Sequence, residues 1–199
     1  MTKAHNIQVI SGTYARRRLI VPKGSSTRPT TSQMRQAVFN ICQNHVQMSR
    51  FLDICAGSGS MGIEALSRGA LSATFIDSDH SAIAAINENI KILGLEGQTN
   101  IVVADALYAL KKLEKQQKTY TLCYFDPPYT QNPNSSQFSE SVLLFLDSSN
   151  LLDENAYLLM EESKHFSVDA LELKTLILKS KRSFGNSFLY CFEKLTQAH

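Results

Sequence analysis

From Phe51 onward, short apolar runs alternate with stretches in which apolar residues recur every third or fourth position. The runs predict strands at 51–55, 72–76, 100–104, 120–125, 156–161, 173–180 and 187–193. The intervening stretches predict helices at 60–68, 80–93 and 106–116. In the second of these, Ile83, Ile86, Ile90 and Leu93 share one face. Strands and helices in alternation imply βαβ units and a mostly parallel seven-stranded sheet with helices on both faces, a Rossmann-like α/β fold. Ahead of this block, IQVISGTYARRRLIV (7–21) predicts two strands turned around Gly12-Thr13. A Pro/Gly-containing loop follows, then a helix that starts near Thr31, whose hydroxyl can cap it, and runs through Arg35, Val38, Phe39 and Ile41. The chain therefore divides into a hairpin-and-helix extension, 1–45, and a ligand-binding domain, 46–199.

Composition refines this picture. With 43% hydrophobic residues in 199, the chain can bury a core. It contains no apolar run of about 18 residues and no apolar segment near Met1, so neither a membrane span nor a secretory signal is expected, and the expected compartment is the cytoplasm. Cys42, Cys55, Cys123 and Cys191 are widely spaced with no C-x-x-C pair, which predicts reduced, buried thiols and no metal site. Charge is unevenly spread. Residues 1–52 carry 8 Lys and Arg and no Asp or Glu, whereas 53–199 carry 12 basic and 18 acidic residues. The extension is thus suited to meet phosphates and the body to repel them. The five histidines are scattered, and none has a partner at a strand end.

Ligands of open α/β sheets bind beyond the carboxyl ends of the strands. The first strand runs into Asp53-Ile54-Cys55-Ala56-Gly57-Ser58-Gly59-Ser60-Met61-Gly62. Its glycines satisfy G-x-G-x-x-G, a fingerprint that by itself would also suit a dinucleotide-dependent oxidoreductase. The acids argue otherwise: Asp53, Asp77, Asp105 and Asp126 end the first four strands. Four carboxylates repel a pyrophosphate and attract a cation, and S-adenosylmethionine is a cation with no phosphate. Asp77, 18 residues past Gly59, is placed to accept both ribose hydroxyls. Asp105 can accept from the adenine amino group, and Asp53 lies near the ammonium, through water or backbone. Ala56, Ser58, Ser78 and Ala106 complete this candidate cofactor set. The competing possibility is that Asp77 and Asp105 serve only as helix N-caps.

The fourth strand ends in Phe125-Asp126-Pro127-Pro128-Tyr129. The amino groups of adenine and guanine are poor nucleophiles because their lone pair is conjugated with the ring. An enzyme that methylates them must hold the N–H bonds and aim the lone pair. Asp126 can accept one hydrogen and the Pro127 carbonyl the other. The two prolines fix the loop, and Tyr129 can stack on the base. Such a base must be flipped out or unpaired.

These residues resemble the bacterial small-subunit ribosomal RNA guanine-N2 methyltransferases of the RsmD type. The matching parts are Ser11-Gly12 with Arg16-Arg17-Arg18-Leu19; Arg28-Pro29-Thr30-Thr31 with Arg35 and Phe39-Asn40; Asp53 to Arg68; and Asp126 to Tyr129. The resemblance implies a class I methyltransferase fold with one antiparallel strand and a short preceding hairpin. It implies transfer from S-adenosylmethionine to the N2 amino group of one guanine in 16S ribosomal RNA of the small subunit, by an enzyme expected to be a monomer. It places Asp53, Gly57, Gly59, Asp77 and Asp105 on the cofactor and Asp126, Pro127 and Tyr129, with Pro128, at the base. Arg16, Arg17, Arg18, Arg28 and Arg35 are placed on RNA phosphates. The chain departs from the family pattern at Cys55, where Phe is usual, at Arg17, where Gly is usual, and at Ser32 and Gln36, which replace acids. An adenine-N6 methyltransferase of DNA or RNA, which would use the same two acceptors, and a non-catalytic RNA-binding protein are the alternatives.

Overall fold

The computed structural model of the chain describes residues 7–22, 30–128 and 135–195. Seven strands form one sheet: β3 (Arg50–Ile54), β4 (Ser72–Asp77), β5 (Thr99–Val103), β6 (Tyr120–Phe125), β7 (Leu152–Ser163), β8 (Leu176–Phe184) and β9 (Ser187–Lys194), in the order β5-β4-β3-β6-β7-β9-β8. All pairings are parallel except those of β9, which runs antiparallel to both β7 and β8. Strand order reverses between β3 and β6. The chain leaves β3 towards one edge and returns at β6 to build the other, which opens a crevice at their carboxyl ends.

Side chains alternate across the sheet and so build two cores. Phe51, Phe75, Leu122, Tyr124 and Leu159 face α1 (Ser32–Ile41), α2 (Ser60–Ser67) and α3 (His80–Leu93). Leu52, Ile54, Ile76, Cys123, Phe125 and Leu158 face α4 (Ala106–Lys115) and α5 (Ser135–Ser148). The sequence reading found every strand and every helix except α5. Its apolar face was available, with Phe138, Val142 and Leu146 at intervals of four. Strand β8 lies further along the chain than the expected 173–180, and β7 is longer than expected.

The N-terminal hairpin is shorter than the pattern suggested. Strands β1 (Ile7–Gln8) and β2 (Arg18–Leu19) pair over only two residues each. The turn between them is wide because its backbone N–H groups are claimed elsewhere. Glu64, fully buried on α2, accepts from the N–H groups of Ile10 (2.7 Å) and Ser11 (3.0 Å) and from Arg68 Nε (2.7 Å). Ser67 accepts from Thr13 and Tyr14. A Cβ on Gly12 would lie 1.8 Å from the Ser67 carbonyl oxygen, so the turn presses on the end of α2. Asn89 on α3 receives the Ile20 N–H and donates to the carbonyls of Ile20 and Ser58, joining the extension to the glycine loop. Ile7, Val9, Leu19, Met34 and Phe39 belong to the same apolar cluster as α2 and α3.

Among the described residues no helix is long and apolar enough to cross a membrane. The four cysteines are free, three of them buried.

Candidate active site

A cavity of about 970 Å³ occupies the crevice. One wall consists of Cys55 to Ser58, Asp77 to Asp79 and Asp105-Ala106; the other of Asp126, Pro127, Pro128 and Glu161. Val21, Thr30, Thr31 and Met34 reach in from the extension, Phe138 from α5, and residues 183–187 from the β8–β9 turn.

The first wall is shaped by its own backbone. Cys55, Gly57 and Gly59 all have positive φ (61°, 56° and 73°), so the chain coils tightly between β3 and α2. Gly57 has no heavy atom within 4 Å of where a Cβ would stand, so its side opens to the cavity; a Cβ on Gly62 would lie 2.3 Å from the Phe75 ring. Glycine is therefore needed at Gly57 for conformation and approach, and at Gly62 for helix–sheet packing. Asp77 accepts from the Gly57 N–H (2.8 Å) and the Asp79 N–H (2.9 Å). Asp105 caps α4 through the Leu107 N–H (3.0 Å), as the capping alternative expected, and also lines the cavity. Asp79, not Asp77, caps α3.

Asp53 differs from its expected place. It is 2% exposed, does not line the cavity, and accepts from the Gly62 N–H at 2.9 Å. It faces α2 because it shares the parity of Phe51, and it holds the loop from beneath. Burial pushes its carboxyl up to about 8, with the Gly62 hydrogen bond opposing and the Asp77 charge adding to the rise. Gly59 is likewise structural, at the N-cap of α2. Ala56, Gly57, Ser58, Asp77, Ser78, Asp105 and Ala106 do line the cavity.

The second wall is held by side chains from distant segments. Asp126 receives the Thr30 hydroxyl at 2.9 Å. Its carboxyl is held well above the ordinary range by burial first and the Glu161 charge second, against the Thr30 hydrogen bond. Glu161 accepts from Tyr124 Oη (3.2 Å) and Ser187 Oγ (2.8 Å). The four predicted acids converge: Asp77, Asp126, Asp53 and Asp105 all raise the pKa of Cys55, after burial itself. Such a field suits a cationic ligand and repels a pyrophosphate. The residues present therefore fit S-adenosylmethionine, with Asp77 and Asp105 as acceptors and the glycine loop open beside them.

Sequence reasoning missed Thr30, Glu161, Phe138 and the 183–187 turn. Glu161 was legible, since it is a fifth acid at a strand end. The β8–β9 turn and Thr30 carry no such mark.

The predicted phosphate contacts separate. Arg16, Arg17 and Arg18 are exposed on the hairpin. Arg35 is not available for RNA. It is 1% exposed on the core face of α1, and its Nη2 donates to the Gln8 carbonyl at 2.9 Å. Its helix position beside Met34 and Val38 turns it inward, where it pins β1, and burial lowers its pKa. Arg28 and Tyr129 lie outside the described residues.

The strand order, the single reversed strand β9 and the glycine loop facing the Asp126-Pro127-Pro128 turn define a class I methyltransferase fold. Comparison with known proteins narrows this. The family profile described as Conserved hypothetical protein 95 matches residues 7–193, and the chain belongs to that family, the RsmD type. A ribosomal RNA small subunit methyltransferase D of Buchnera aphidicola subsp. Baizongia pistaciae is 32% identical over 182 residues, covering 91% of this chain and 88% of that one. The protein of the same name from Escherichia coli K12 is 30% identical over 152 residues, covering 76% and 69%. Among solved structures, yhhF of Escherichia coli superposes with a TM-score of 0.80 at 26% identity, over 96% of this chain and 99% of that one. SMU.776, solved in complex with SAH, shares the fold at 14% identity (TM-score 0.63; 81% of this chain, 48% of that one).

Proposed function

We propose that the protein methylates the exocyclic N2 amino group of one guanine in 16S ribosomal RNA of the small subunit, using S-adenosylmethionine. The observation that carries this reading is that Asp126, Pro127 and Pro128 share one cavity with the glycine loop, Asp77 and Asp105. The names of its relatives support the ribosomal substrate. The cofactor supplies an electrophilic methyl group on a sulfonium, and Asp77 and Asp105 hold its ribose and adenine.

Asp126 accepts one N–H of the target amino group and the Pro127 carbonyl the other, which turns the nitrogen lone pair towards the methyl carbon. As the N–C bond forms and the C–S bond breaks, the nitrogen becomes cationic and then sheds a proton. Asp126, a stronger base than an ordinary carboxylate, is placed to take it. Thr30 fixes the orientation of that carboxylate.

The decisive experiment incubates the protein and labelled S-adenosylmethionine with small subunits from cells that lack the corresponding methyltransferase, and identifies the labelled nucleoside by mass spectrometry. N2-methylguanosine is expected. N6-methyladenosine would keep the acceptor chemistry and overturn the base assignment. Absence of label would overturn the substrate. Phosphate contact by the hairpin is tested by replacing Arg16, Arg17 and Arg18 with Ala. The salt dependence of RNA binding should flatten by roughly one unit of logarithmic slope per lost contact. An unchanged slope would place those arginines off the RNA.

A further inference from the structure

We infer that Glu161 reads the N1–H of the target guanine and thereby selects guanine over adenine. The inference rests on the functional reading above and adds a residue to it. Parallel pairing of Phe125 with Met160 continues to Asp126 beside Glu161, so two adjacent strands deliver two carboxylates to the same wall. They are close enough that Glu161 is the largest charge acting on Asp126. Tyr124 Oη holds one oxygen of Glu161 and Ser187 Oγ the other, one hydroxyl coming from the β6 side and one from the β8–β9 turn. The carboxylate is thus oriented, and each oxygen retains lone-pair capacity.

The Watson–Crick edges of the two purines differ at this place. Guanine presents N1–H beside its 2-amino group, a continuous row of three donors. Adenine presents a bare N1, an acceptor, beside its 6-amino group. Asp126 and the Pro127 carbonyl take the two amino hydrogens in either case and do not discriminate. A second carboxylate next to them accepts from guanine N1–H but meets the lone pair of adenine N1. A site built to accept a hydrogen rejects a ligand that lacks it, because the buried acceptor is left unpaired.

The test uses reconstituted small subunits carrying either guanine or 2-aminopurine at the position methylated by the wild-type enzyme. Both bases keep the 2-amino group, but 2-aminopurine has a bare N1. The wild-type enzyme should favour guanine in kcat/KM by on the order of 1000-fold. Glu161→Gln keeps an oxygen for the two hydroxyls and gains an N–H that can serve a bare N1. It should narrow the preference by on the order of 100-fold, while S-adenosylhomocysteine affinity by calorimetry stays within a few fold. An unchanged preference would confine Glu161 to holding Tyr124 and Ser187, and collapsed S-adenosylhomocysteine affinity would assign it to the cofactor; either overturns the inference. Where the Gln variant does not fold, Glu161→Asp, which keeps the acceptor, should lower turnover and retain the guanine preference; loss of that preference would overturn it. Failure of the wild-type enzyme to label guanine at all would instead overturn the functional reading.

Discussion

The two walls of the cavity are built on different principles. On the cofactor side, each acid is tied to a backbone N–H: Asp53 to Gly62, Asp77 to Gly57 and Asp79, Asp105 to Leu107. The separations along the chain are 9, 20 and 2 residues for Asp53–Gly62, Gly57–Asp77 and Asp105–Leu107. On the base side, the acids are tied to side-chain hydroxyls from remote segments: Thr30 to Asp126 across 96 residues, Tyr124 to Glu161 across 37, and Ser187 to Glu161 across 26. Backbone donors make a wall that depends on loop shape and tolerates many side chains. Hydroxyl donors make a wall whose charge and orientation a single substitution can alter. The first wall suits a ligand that never changes, and the second suits a base that must be chosen.

The comparison predicts that losses on the two sides separate in kinetics. Asp126→Ala should lower kcat by on the order of 1000-fold or more, since it removes the group that aims the nucleophile. S-adenosylhomocysteine affinity, measured by calorimetry, should stay within a few fold; a parallel collapse of affinity would merge the two walls. Asp77→Asn should do the converse. It should weaken S-adenosylhomocysteine binding by on the order of 10- to 100-fold, with kcat at saturating cofactor little changed.

Smaller effects sharpen the distinction. Thr30 donates to the charged form of Asp126 and so opposes its raised pKa. Thr30→Val should push that carboxyl further up, move the acid limb of the kcat/KM profile to higher pH, and lower activity at pH 7 by about tenfold. The same substitution should leave cofactor affinity unchanged. An acid limb that stays in place would remove Thr30 from the site.

The smallest effect concerns stability and Asp53. Its carboxyl rises from 3.8 to about 8 in the folded protein. Between those values the folded protein holds a proton that the unfolded chain releases. This contribution is complete below the unfolded value and is lost as pH rises through the folded one. Thermal denaturation from pH 5 to 9 should show Tm falling with pH, and Asp53→Asn, which cannot titrate, should flatten the decline. An equal slope in the variant would mean other groups carry it.

Legibility followed the same division. The period of apolar residues announced the parallel sheet and its helices because burial on both faces of the strands dictates that period. The glycine loop and the strand-end acids were legible because their partners are close along the chain or are backbone groups that every sequence supplies. Arg35 was misjudged because an arginine in a basic segment looks solvated until the opposite face of its helix is known; the core face of α1 and the Gln8 carbonyl bury it. Asp53 was placed on the ligand, yet the parity of β3 turns it to Gly62.

The sequence by itself therefore determined the sheet, the glycine loop and the chemical class of the site, since these rest on periodicity and on backbone geometry at fixed spacings. Tertiary structure alone decided that Thr30 holds Asp126, that Glu161 stands beside it between Tyr124 and Ser187, and that Glu64 and Ser67 seat the hairpin on α2. Those contacts join segments whose separation along the chain sets no distance in space, and only the packed sheet brings them within hydrogen-bonding reach.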